Sequence, residues 1–158
     1  MILVTVGSQK FQFDRLLKEI DRLIDDKKIR DNVFAQIGVS TYKPRNYEYV
    51  DFMSQEEFNE KISKSDIVIT HAGTGVIINS IKMGKKVIAI PRLAKYNEHV
   101  DNHQLQLVKE FEELNFIEAV YDVEELEKAI EKVGNKEYNR YVSNTNKVID
   151  SIEEYINK

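Results

Sequence analysis

Several short stretches of this sequence carry unbroken apolar runs, among them MILVTV (Met1 to Val6), SDIVIT (Ser65 to Thr70) and KVIAIP (Lys86 to Pro91). A strand with one wet face alternates polar and apolar residues. A continuous run fits a strand covered on both faces, which is the habit of parallel sheets. NVFAQIG (Asn32 to Gly38), YEYVDF (Tyr47 to Phe52) and FIEAV (Phe116 to Val120) read as three further strands. Helical patterns lie between most of them. Phe13, Leu16, Leu17, Ile20, Leu23 and Ile24 fall on one face of a first helix, with charged residues opposite and Asp25 and Asp26 on the solvated side. Ser54 with Glu57 three residues on is a capping-box signature for a second. A third follows the strand at Ser65 and ends at Gly84, and a fourth ends near Leu114.

Repeated strand–helix units with right-handed crossovers predict an α/β fold: a Rossmann-like open parallel sheet with helices on both faces. The whole chain, 1–158, reads as a single domain, without linker, repeat or low-complexity segment. A helix DVEELEKAIEKV precedes the tail. Residues 135–158 read as a C-terminal helix with Tyr141, Thr145, Val148, Ile149, Ile152 and Tyr155 on one stripe, more in keeping with core packing than with an interaction face.

Composition removes several function classes. The formal net charge is −4, so a phosphate-backbone partner lacks its basic footprint and nucleic acid is not expected. The absence of cysteine excludes disulfides and thiolate metal sites. The apolar start is six residues long with no basic residues before it, and reads as a strand, not a signal peptide. No apolar run approaches the ~20 residues of a membrane span. A cytoplasmic chain, with any membrane contact peripheral or through a partner, is the expectation.

Ligands of open parallel sheets sit beyond the carboxyl ends of the strands. Those ends carry Gly7-Ser8, Gly38 to Ser40, Phe52-Met53, His71 to Gly75, and Pro91 to Asn102. His71-Ala72-Gly73-Thr74-Gly75 turns a buried strand directly into a helix. Gly73 and Gly75 remove side chains and allow positive φ, so that backbone N–H groups at a helix start can approach an anion. Thr74 and His71 can add donors. The alternative is a tight turn that binds nothing. The dinucleotide fingerprint fails because Ile78 stands where its third glycine belongs, and no P-loop is present. Of the three histidines, His99 and His103 could share a helix face, but the metalloprotease arrangement is missing. Ser8 lacks a nucleophile-elbow sequence. Asn97, Glu98, Asp101, Asn102, His103 and Gln104 form a polar cluster beside the glycine turn. It suits many directed hydrogen bonds to a sugar, or else a helix N-terminal turn with caps.

HAGTG (His71 to Gly75) followed by DNHQ (Asp101 to Gln104), together with VTVGSQKFQFDRLL and YVDFM, resembles the C-terminal domain of family 28 glycosyltransferases. The likeness extends to the small free-standing subunits of that family. These include the catalytic subunit of the eukaryotic dolichol-linked UDP-GlcNAc transferase and the bacterial capsule and exopolysaccharide subunits. The resemblance implies the C-terminal, donor-binding half of a GT-B fold. The implied activity is inverting transfer of a hexose or GlcNAc from a UDP-sugar substrate, with no cofactor. A membrane-anchored subunit would supply the acceptor half and bind a lipid-linked saccharide. Gly7 and Ser8 would then lie near the diphosphate or sugar, and Phe52 and Met53 would border the uracil. His71, Gly73, Thr74 and Gly75 would hold the diphosphate. Asn102, His103 and Gln104 would meet the sugar. Asn79 stands where relatives often have an acid for the ribose. The general base would come from the partner. A Rossmann-like module that binds a nucleotide without chemistry is the other reading.

Overall fold

The computed structural model describes residues 1–7, 11–96, 98 and 103–140. Six strands form one sheet: β1 (Ile2–Thr5), β2 (Val33–Gln36), β3 (Glu48–Val50), β4 (Ile67–His71), β5 (Lys86–Ile90) and β6 (Glu118–Ala119). Their order is β3-β2-β1-β4-β5-β6, and every pairing is parallel. The helices are α1 (Asp14–Asp25), α2 (Gln55–Lys64), α3 (Thr74–Lys82), α4 (His103–Glu113) and α5 (Leu126–Val133). The open parallel sheet expected from the apolar runs is therefore present. Ile2 and Val4 pack with α1 and α5 on one face, while Leu3 packs with Phe58 and Ile62 of α2 on the other. Val87 and Ala89 meet α3 and α4 on that second face. Burial on both faces explains why these strands carry no alternating polar pattern.

Local chemistry sets the helix ends. Ser54 Oγ accepts from the Glu57 N–H at 3.2 Å and caps α2. α3 stops in a Schellman turn: Gly84, at φ +74°, donates to Ile81 O, and Lys85 N donates to Ser80 O, both at 3.0 Å. The link from β2 to β3 has no helix. Its loop is held along α1 by three aspartates. Asp14 accepts from the Thr41 and Tyr42 N–H groups, Asp21 from Arg45 N and Asn46 N, and Asp25 from the Arg45 guanidinium. The polar side of α1 is thus partly a buried clamp and not wholly solvated: Asp21 is buried, while Asp25 and Asp26 are open to solvent.

The tail departs from expectation. Residues 136–140 are not helical. Neighbouring groups take over their hydrogen bonds: Asn139 N donates to Asn115 O at 2.8 Å, and Lys86 Nζ donates to Val133 O and Lys136 O, both at 2.7 Å. A helix beginning at 135 would forfeit these bonds. The stripe from Tyr141 to Tyr155 lies outside the described residues, as do Ser8, Asn97, His99, Asp101 and Asn102. Among the described residues, no helix is long and apolar enough to cross a membrane.

Candidate functional site

Strand order places the site. From β1 the chain proceeds to β2 on one side, and from β4 to β5 on the other, so the connections diverge beyond the ends of the adjacent strands β1 and β4. Such a switch point opens a crevice. Gly7 follows β1 there, His71 ends β4, and Gly73 begins α3.

These three residues interlock. A Cβ placed on Gly7 would fall 2.5 Å from His71 Nε2, and one on Gly73 would fall 2.3 Å from His71 Cε1. Both glycines therefore make room for the imidazole, which is only 5% exposed. Gly38 continues the stack, since its Cβ would sit 2.9 Å from Gly7 O. Positive φ belongs to Gly7 (+79°) and Gly38 (+58°). It does not belong to Gly73 or Gly75, which corrects the expectation for the turn: Gly73 is extended at φ −80° and Gly75 is helical. Their role is the absence of a side chain, not a left-handed backbone.

Gly75 differs from its neighbours. It is exposed, and a Cβ there would meet nothing within 4 Å. Glycine inside a helix costs about 1 kcal/mol relative to alanine. Internal packing gives no reason for that cost. The helix it begins is also bare: no side chain caps α3, and its first turn contains no acidic residue. Among the described residues, the first N–H groups of α3 have no capping side chain, and they and the positive end of the helix dipole lie at the switch point beside a position cleared of side chain. This arrangement can take an anion.

The other expected residues surround this point at varied distances. Phe52 is 51% exposed beyond β3, and Met53 packs partly onto the Leu3–Phe58 cluster. Thr74 opens α3, half-buried. The Asn79 amide faces α2 and donates to Asn59 Oδ1 at 2.7 Å. His103 is exposed at the first position of α4. Gln104 is buried, and its Oε1 accepts from the Arg92 N–H at 2.9 Å. Glu98, grouped by sequence with the sugar-facing cluster, is instead structural. It is 1% exposed and gripped by Arg15 of α1, with Nε at 2.9 Å and Nη2 at 3.0 Å, and it also accepts from Leu93 N.

Arg92 and Arg15 escaped the sequence reading. Arg92 has no exposed surface, and its guanidinium donates to Val6 O and Phe11 O. Burial draws its pKa down to about 10, against the charge of Glu98, which raises it. An arginine placed immediately after the apolar run of β5 was the available signal.

A doubly wound parallel sheet with a glycine-lined turn and an uncapped helix at its switch point defines a Rossmann-type domain with an anion-ready edge. The sequence matches the glycosyltransferase family 28 C-terminal domain over residues 1–156, and the chain belongs to that family. It is 31% identical over 113 residues to the UDP-N-acetylglucosamine transferase subunit ALG13 of Candida albicans, covering 72% of this chain and 37% of that one. The Debaryomyces hansenii protein of the same name is 28% identical over 117 residues, covering 67% and 54%. The chain thus spans about a third to a half of these fungal relatives. Among solved structures, the glycotransferase of kitacinnamycin superposes with a TM-score of 0.65 at 16% identity, over 99% of this chain and 38% of that one. The solution structure of ALG13 gives 0.62 at 20%, over 99% and 96%. MurG of Acinetobacter baumannii gives 0.61 at 18%, over 97% and 49%. These likenesses establish a fold shared with glycosyltransferases.

Proposed function

We propose that this chain is the donor-binding catalytic subunit of a two-component inverting glycosyltransferase. It binds a UDP-sugar and transfers a hexose or GlcNAc to a lipid-linked glycan acceptor in polysaccharide biosynthesis, of the capsule or exopolysaccharide kind. A second, membrane-anchored polypeptide supplies the acceptor site and holds this chain at the membrane surface. The observation that carries the reading is the bare start of α3 beside Gly75, at the switch point of the sheet. Family membership supports the reaction class, and the relatives named as subunits of a UDP-N-acetylglucosamine transferase support the division of labour.

The chemistry follows from that geometry. An acceptor hydroxyl attacks the anomeric carbon, the bond to the diphosphate breaks, and UDP departs with inversion. Negative charge grows on the leaving diphosphate. N–H groups already fixed at Thr74, Gly75 and the next residue, with the α3 dipole behind them, stabilise it without reorganising. Gly7 and the wedged His71 form the wall opposite. Phe52 and Met53 offer an apolar border for the uracil, and exposed His103 at the start of α4 is the candidate sugar contact, with buried Gln104 supporting that turn through Arg92 N. Asn79 would meet the ribose only by turning from its bond to Asn59. The base that takes the acceptor proton belongs to the partner.

A thermal-shift titration with UDP, UDP-GlcNAc, UDP-Gal, UDP-Glc, UDP-GlcA, ATP and NAD tests the reading, because a ligand of the folded state raises Tm. Shifts with the uridine ligands alone support it, and their ranking nominates the sugar. Shifts with ATP or NAD alone replace it with a non-catalytic nucleotide-binding module.

A further inference from the structure

Arg92 is the largest fully buried side chain among the described residues. It follows β5 after Pro91, and β4 lies between β5 and β1. Its guanidinium nevertheless donates to Val6 O, directly beyond β1, and to Phe11 O at 3.2 Å. The side chain must therefore cross the end of β4, through the switch point. It does so on the face covered by α1, with its guanidinium carbon 5.6 Å from the Phe13 ring centroid.

The charge there is poorly matched. Removing a guanidinium from water costs several kcal/mol unless a partner balances it. Among the described residues, the groups that the Arg92 guanidinium bonds or faces are neutral: two carbonyls and an aromatic ring. The carboxylate acting on it through space, Glu98, is already forked by Arg15. Among the described residues, Nε and Nη1 have no hydrogen-bond partner. With its pKa near 10 the group remains a cation at neutral pH. A neutral donor could have tied the same two carbonyls at less desolvation cost. What a cation adds is field, and it adds it at Val6, beyond β1 at the switch point where β4 also ends and leads into α3.

We propose that Arg92 is an electrostatic residue of the diphosphate subsite. Its partly balanced charge at the switch point strengthens the binding of a diphosphate that it does not touch, and the bound anion supplies the balance. This rests on the chain being a UDP-sugar binder, and it gives the diphosphate a second source of positive potential. Arg92 is not a catalytic residue in this account.

The test is calorimetric titration of the full chain, wild type, R92K and R92M, with UDP and with uridine. The preference for UDP over uridine is the readout. In R92M that preference falls about tenfold, the size expected of one unit charge acting across a short, partly shielded distance. In R92K it stays within about twofold of wild type, and uridine affinity is alike in all three. Because a buried charge is screened little, the loss in R92M persists at high salt. Parallel weakening of UDP and uridine assigns Arg92 to the shape of the turn and overturns the proposal. So does an R92K as impaired as R92M, or an R92M that does not fold. A wild-type preference retained in R92M overturns the Arg92 inference alone, whereas no preference in wild type overturns the UDP-sugar reading with it.

Discussion

Helices α2 and α3 begin in opposite ways. α2 has Ser54 bonded to the Glu57 N–H, and Glu56 and Glu57 in its first turn. Its orphan donors and its dipole are answered from within the chain. α3 has a glycine at its N-cap, no capping side chain and no acid in its first turn. Both helices lie on the same face of the same sheet, so the difference is not one of environment. A helix start built for stability closes its own electrostatics, while the α3 start leaves them open toward a crevice. The contrast marks the α3 start as the candidate binding element without reference to any relative.

Substitutions break or sharpen this contrast. The largest expected effect is that of Gly73→Ala. Its methyl would collide with the imidazole of His71, and overpacking of this kind costs about 1–3 kcal/mol, read as a lowered midpoint in urea. UDP affinity should fall with it. Next is Gly75→Val, placed where a side chain meets open space. Stability should stay within about 0.5 kcal/mol of wild type. UDP affinity should fall by about 10- to 100-fold, the scale of one or two charge-assisted hydrogen bonds. Unchanged UDP binding by a folded Gly75→Val protein would defeat the anion-site reading. Ser54→Ala should lower stability by about 1 kcal/mol and weaken UDP binding far less than Gly75→Val, because it removes the cap of α2 and leaves the α3 start intact. The smallest effect is that of Thr74→Asp, which makes α3 resemble α2. Unfolding should become harder by about 0.3–1 kcal/mol, and UDP should bind a few-fold more weakly. A Thr74→Asp protein that bound UDP more tightly would show that the helix end is not where the phosphate lies.

Much of this architecture can be read from the chain. The runs at Met1, Ser65 and Lys86 announce strands because burial on both faces suppresses alternation. Ser54 and Gly84 mark helix ends because capping is local chemistry. What could not be read depends on residues far apart in sequence meeting in space. Gly7 and Gly73 flank His71 from two different strand ends, and neither position shows this alone. Asp21 looks like one more polar residue of an amphipathic helix until the loop at Arg45 folds onto it. Glu98 looks like a ligand group until Arg15 arrives from α1. The non-helical path of residues 136–140 was hidden for the same reason, since Asn115 and Lys86 supply hydrogen bonds to this stretch from outside.

The aspartate clamp along α1 has a practical corollary for anyone inserting a tag or a reporter. Exposed polar loops are usually the safest places to lengthen a chain. The loop between β2 and β3 has that look on paper, yet Asp14, Asp21 and Asp25 grip it along the length of α1. Added residues there would unzip the loop from its rail and loosen α1, whose Leu16 and Leu17 belong to the buried cluster with Val4 and Val6. Expression engineering should leave this stretch at its native length.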